Sequence, residues 1–162
     1  MFLKKQILVF PFTLLLSVSN SSNASSCTTL FEQQNYPSAL ETCMADAIHN
    51  LADANFVLGQ LYENGLGIEK NLKTALSYYL KAAFNNDVEA QIALGKYHAK
   101  QKNYLQSHVF FTLAIDNGSL RAQRYRDKIE QNLSIQELNL SRNHLDIVKS
   151  AIDQTKTQVV IN

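Results

Sequence analysis

Ala54-Asn55-Phe56-Val57-Leu58-Gly59-Gln60-Leu61-Tyr62-Glu63-Asn64-Gly65-Leu66-Gly67 is the stretch that decides the fold. Its skeleton is an alanine, a Leu-Gly pair, a tyrosine and two glycines, and it runs on through Ala75, Tyr78, Tyr79, Lys81, Ala82 and Ala83. Part of it recurs 36 residues downstream, with Ala90 at the place of Ala54 and Leu94-Gly95 at the place of Leu58-Gly59. A fixed period of this length marks a stacked repeat whose units are too small to bury their apolar face alone.

The rest of the chain after Cys27 has helical spacing, with no sustained alternation of apolar and polar residues and only short β-branched runs. The pattern predicts helices over 28–34, 37–49, 52–64, 72–85, 88–100, 104–116, 120–131 and 135–154, with Pro37 suited to a first turn. Ser134-Ile135-Gln136-Glu137 has the spacing of a capping box. Gly59 and Gly95 fall inside helices, where glycine costs about 1 kcal/mol against alanine, so they predict close helix approach. Gly65, Gly67 and Gly118 fall after helices, where positive φ is useful, and Asn50 and Asn86 take the slot that Gly118 fills.

With those residues in hand, the stretch from Ala54 to Asn86 resembles a Sel-one-like repeat (SLR), a relative of the tetratricopeptide repeat. The matching positions are Ala54, Leu58, Gly59, Tyr62, Gly65, Gly67, Ala75, Tyr79, Ala82 and Ala83; Tyr78 stands where the usual tryptophan would be and Asn86 where the last glycine would be. In the next unit Ala90, Leu94 and Gly95 fit, His98 takes the tyrosine slot, and the glycine loop is missing through a four-residue deletion. Ala39, Cys43 and Ala47 look like half of a degraded unit upstream, and Arg126-Asp127-Lys128-Ile129 with the helix from Ser134 resembles the C-terminal cap of some bacterial SLR proteins. The resemblance implies an all-α fold, a short right-handed superhelix of antiparallel helix pairs. The expected division is a leader over 1–24, a capping half-repeat over 25–50, repeat units over 51–86 and 87–118, capping helices over 119–155 and a frayed tail over 156–162.

The N-terminus has the features of an export signal: Lys4 and Lys5, an apolar run from Ile7 to Leu16, and small residues Ser22-Asn23-Ala24 at the cleavage register. The run is shorter than the roughly 20 residues a spanning helix needs, so no stable membrane span is expected after cleavage, although an uncleaved anchor and a lipidated Cys27 are the alternatives. Removing the leader takes away Lys4 and Lys5 and no acid, which moves the net charge from +1 to −1. So balanced a chain has no field to gather nucleic acid or anionic lipid. Cys27 and Cys43, the two cysteines of the chain, suggest one disulfide in an exported protein, with two buried thiols as the alternative. The expected residence is the periplasm or the secreted fraction.

Catalytic and metal motifs are not found. Gly65-x-Gly67 lacks a third glycine and a preceding strand, and His49, His98, His108 and His144 show no paired i, i+4 spacing, which makes them surface or repeat-slot residues. Some exported cysteine-rich SLR proteins are associated with penicillin-like molecules, but no serine here has a lysine three residues on. The chain is therefore expected to be no enzyme, to need no cofactor or metal, and to act as a protein–protein interaction module or scaffold in the bacterial envelope. A β-lactam-binding or weak β-lactamase-like protein and a secreted host-interaction factor are the alternatives. Its oligomeric state is left open. In tetratricopeptide-like repeats the first helix of each unit lines the concave face, which places Phe56, Gln60, Ile92, Lys96 and Lys100, then Arg121, Arg124 and Lys128 of the cap, along the groove. That groove would run from mildly acidic to basic and take a protein or peptide with an acidic segment or free carboxylate, with Phe56 and Ile92 as apolar contacts.

Overall fold

The structure, a computed structural model, describes residues 26–161. The expected leader and its cleavage point lie outside the described residues. Eight helices and no strand are found among the described residues: α1 (Ser26–Glu32), α2 (Tyr36–Ile48), α3 (Ala52–Asn64), α4 (Leu72–Phe84), α5 (Val88–Lys100), α6 (Tyr104–Asp116), α7 (Leu120–Glu130) and α8 (Ile135–Ile161). They stack as an α-solenoid in which α1 pairs with α2, α3 with α4 and α5 with α6.

The chain turns of this solenoid share one device. Gln34, Asn50, Asn86, Lys102 and Gly118 all have positive φ. Beyond four of these, the next N–H returns to a carbonyl five residues back: Asn35 to Leu30, Asp87 to Ala82, Asn103 to His98 and Ser119 to Ala114. That is the Schellman closure, which satisfies carbonyls a helix end otherwise leaves open. Four helix starts carry side-chain caps, whereas Asn35, Leu51 and Asn103 make none. The side chains of Asn71, Asp87 and Ser119 accept from the N–H of Thr74, Ala90 and Ala122, and Ser134 and Glu137 exchange bonds as a capping box.

The core is a run of small clusters handed from helix to helix. Cys27 and Cys43 are bridged and fully buried, and the bridge packs on Ala54, Val57, Leu58 and Leu61 of α3. The bridge agrees with the disulfide suggested by the sequence rather than with two buried thiols. Gly59 leaves room for the Tyr79 ring, and a Cβ on Gly95 would come within 2.7 Å of the Phe111 ring. The same ring-on-glycine contact thus recurs in both units, although the connection before the second ring is four residues shorter. Ser107 stands where the first unit has Ala75, and its hydroxyl donates to the Gly95 carbonyl at 2.8 Å.

The C-terminal end departs from the expected pairing. α8 lies chiefly on α6 rather than forming a hairpin with α7. It runs parallel to α6, since Ser141 meets His108 and Lys149 meets Asp116. Leu145 and Ile152 close over Val109 and Leu113. The helix continues to Ile161, through most of the stretch expected to fray.

Candidate functional site

The face built by α3, α5 and α7 carries two adjoining depressions. The first, of about 380 Å³, is lined by Phe56, Gln60, Glu63, Leu72, Lys96 and Lys100 among others. The second, of about 410 Å³, is lined by Lys96, Tyr104, Tyr125, Lys128 and Asn132. Lys96 belongs to both.

Repeat register explains how these side chains converge. Gln60, Lys96 and Lys128 occupy equivalent places on α3, α5 and α7, spaced by 36 and then 32 residues. Asp53, Glu89 and Arg121 form an equivalent row about two turns nearer the helix starts. In both rows the residue on α7 is basic and the one on α3 is not, and Glu63 and Glu89 line the first depression whereas no acid lines the second.

Three of the expected contact residues need correction. Ile92 lines the first depression, but it is 2 % exposed and packs with Phe111, Ala114, Ala122 and Ile129, so it forms core at the groove floor and offers little open apolar surface. Arg121 is held by Glu89, one guanidinium nitrogen bonding Oε1 at 2.6 Å and also Oε2. It lines neither depression, and its charge is matched before any partner arrives. Arg124 is exposed and likewise lines neither. Phe56, Gln60, Lys96, Lys100 and Lys128 remain. Leu72, missed by the sequence reading, joins them from the start of α4.

The lysines are differently constrained. Among the described residues Lys96, Lys100 and Lys128 make no ion pair. The Lys96 ammonium sits 4.9 Å over the Tyr125 ring, and that ring stacks on Phe111 at 5.3 Å. This contact favours that placement of the exposed Lys96 side chain. On the α3–α4 side, Tyr79 donates to Glu63 at 2.6 Å. Burial first, and then this bond, push the Tyr79 hydroxyl well above its ordinary value. Asp87, capping α5, is raised by burial above all, with the Asp53 and Glu89 carboxylates adding to it and the Ala90 N–H opposing.

Away from the groove, α6, α7 and α8 meet at a polar chain no sequence motif announced. His108 Nε2 lies 3.0 Å from Glu130 Oε1, and His108 Nδ1 lies 2.9 Å from Ser141 Oγ. Serine, imidazole and carboxylate in series suggest acyl transfer, but Ser141 is 1 % exposed, sits mid-helix and also bonds the Leu138 carbonyl. A buried hydroxyl so engaged cannot attack a substrate; the series ties three helices together.

A family model described as the Sel1 repeat matches residues 52–87 and 88–119. The chain carries two Sel1 repeats. A crystal structure of a Sel1 repeat protein from Oxalobacter formigenes is similar at 29% identity and a TM-score of 0.60, over 64% of this chain and 44% of that one. A protective antigen present in uropathogenic Escherichia coli strains, displaying an SLR fold, is similar at 21% identity and a TM-score of 0.71, over 81% of this chain and 31% of that one. The second likeness concerns the fold alone. The chain thus spans less than half the length of either solved relative. No curated protein matches it. The first Sel1 repeat supplies α3 and α4 and the second α5 and α6, so the first depression lies across their junction and the second where the second repeat meets α7.

Proposed function

We propose that this Sel1-repeat protein is an exported interaction module of the bacterial envelope that grips another protein in the groove of α3, α5 and α7. A helical repeat of this family typically serves protein interaction, and the two repeats set the architecture. The carrying observation is the pair of depressions sharing Lys96, where lysines without ion pairs stand beside Phe56 and Leu72. A partner with an acidic segment or a free carboxylate suits that lining. Support for export comes from the buried Cys27–Cys43 bridge, which belongs in an oxidising compartment, and from the leader-like residues 1–24. No described helix is long and apolar enough to cross a membrane. The proposed role involves no catalysis.

The test is a photo-crosslinking pull-down from the native envelope, with the crosslinker placed at Gln60 in the groove or at Gln106 on α6, away from it. A protein captured from Gln60 and not from Gln106 supports the reading. Capture only from Gln106 sinks it. Saturable turnover of nitrocefin by the oxidised protein would favour the β-lactam alternative.

A further inference from the structure

The two depressions of the groove differ in charge. Glu63 and Glu89 line the first together with Lys96 and Lys100, so acid and base balance there. Glu63 already accepts from Tyr79, and Glu89 already holds Arg121. Lys96 and Lys128 line the second, where no acid faces them and neither forms an ion pair among the described residues. Open apolar surface is divided the other way. Leu72 is 41 % exposed and Phe56 half-buried in the first depression, whereas Phe111 and Ile129 of the second are buried. We infer that the groove reads an extended protein segment with a single acidic side chain, seated in the second depression between Lys96 and Lys128, and an apolar side chain, seated in the first against Phe56 and Leu72. This deepens the groove-binding role proposed above and rests on it.

Lys96 and Lys128 hold equivalent places on α5 and α7, so they enter the second depression from two helices. One carboxylate has two oxygens and can accept from both, in charge-assisted bonds. A further acid over the first depression would face Glu63 and Glu89, which repel it. An apolar side chain there meets Leu72 and Phe56 and disturbs no charge. Spacing selects the segment. The two seats lie about one helix separation apart, roughly 8–10 Å. An extended chain rises about 3.3 Å per residue and points alternate side chains to one face. An apolar residue and a glutamate two places on therefore share a face, and the glutamate stem spans the remaining distance. A carboxylate carried directly on the backbone at that register lacks the stem.

The probe is a five-residue peptide, acetylated and amidated, with leucine second, glutamate fourth and serine elsewhere. One comparator has glutamine for the glutamate, a second has glutamate also in place of the leucine, and a third is the glutamine peptide with a free C-terminal carboxylate. Each is titrated into the 15N-labelled, disulfide-bonded protein and followed by amide shifts. The leucine–glutamate peptide is expected to shift α5 and α7. Lys96→Gln and Lys128→Gln should each weaken it at least about tenfold. Lys100→Gln removes the same charge from the first depression alone and should leave affinity within about twofold. Matching melting curves establish that each variant is folded. Equal binding of the glutamine peptide overturns the inference, as does an equal loss in Lys100→Gln, which would reduce the effect to net charge. Binding of the two-acid peptide as tight as the leucine peptide overturns the apolar seat. Equal binding of the free-carboxylate comparator overturns the inference in favour of a chain terminus. If Lys128→Gln still crosslinks its partner from Gln60, the acid seat is wrong and groove binding stands. If Gln60 captures nothing even in the unaltered protein, groove binding itself has failed, and this inference with it.

Discussion

Gly95 shows how one absent Cβ reaches the groove. A methyl group there would press on Phe111, Phe111 stacks on Tyr125, and Tyr125 lies beneath Lys96. Overpacking of this kind costs about 1–3 kcal/mol, against about 1 kcal/mol that alanine gains over glycine in a helix. Gly95→Ala should therefore lower the Tm and shift the NMR signals of Tyr125 and Lys96; an unchanged Tm with unmoved signals would show that the ring can slide freely. His98 has a different sensitivity. It stacks on Phe110 at 5.5 Å with Nδ1 buried and unbonded, and burial lowers its pKa. The unfolded chain then binds a proton that the folded one refuses, so this contribution is present above the ordinary histidine value and is lost as pH falls through it. Unfolding free energies measured across that range should fall less steeply with acid for His98→Phe than for wild type. The glycine slots were legible as places of close helix approach, because Leu-Gly recurs 36 residues on; the rings that fill them were not, because the connection before the second ring is four residues shorter. Arg121 was not: its partner Glu89 lies in another helix, and a helix-face count sees only one helix at a time.

The first element illustrates how a short helix is kept. α1 has seven residues, and Cys27 is its only fully buried side chain. Residues 26–32 are too few to hold a helix in water by themselves, so the disulfide to α2 and the seat on α3 maintain it. A bridge closing a loop of this size is worth about 3 kcal/mol in the chain-entropy model. Replacing Cys27 and Cys43 with serine should lower the Tm and remove hydrogen-exchange protection from α1 while α5 and α6 keep theirs. Protection retained in α1 would mean that packing alone suffices. Elements 52–64, 88–100 and 104–116 have the expected bounds: Gly65 follows the first and Gly118 the third in left-handed turns, and Asp87 caps the second. Gln34 and Lys102 themselves gave no sign of positive φ, because their side chains do not favour it and only the closure beyond them demands it. The length of α8 was hidden in the same way: Val159-Val160-Ile161 has weak helix propensity, and nothing in those residues alone marks where the helix stops.

At the scale of the molecule, clusters passed between neighbouring helices imply that stability is a sum of local terms rather than one indivisible core. α8 closes one end: Leu145 and Ile152 cover Val109 and Leu113, and Ser141 completes the bonds of His108. Ending the chain after Leu133 would uncover those α6 side chains and leave His108 short of a partner, while the disulfide end keeps every contact it has. The truncated protein should lose hydrogen-exchange protection first in α6 and α7, then α5, with α3 and α4 last, and groove binding at Lys96 should weaken before the Cys27–Cys43 cap loosens. The order matters more than the size of the loss. A uniform fall in protection from α1 to α7 would mean that the two repeats and their caps unfold as a single unit. The groove would then depend on the whole solenoid and not, as its construction from α3, α5 and α7 argues, on the helices adjoining each depression.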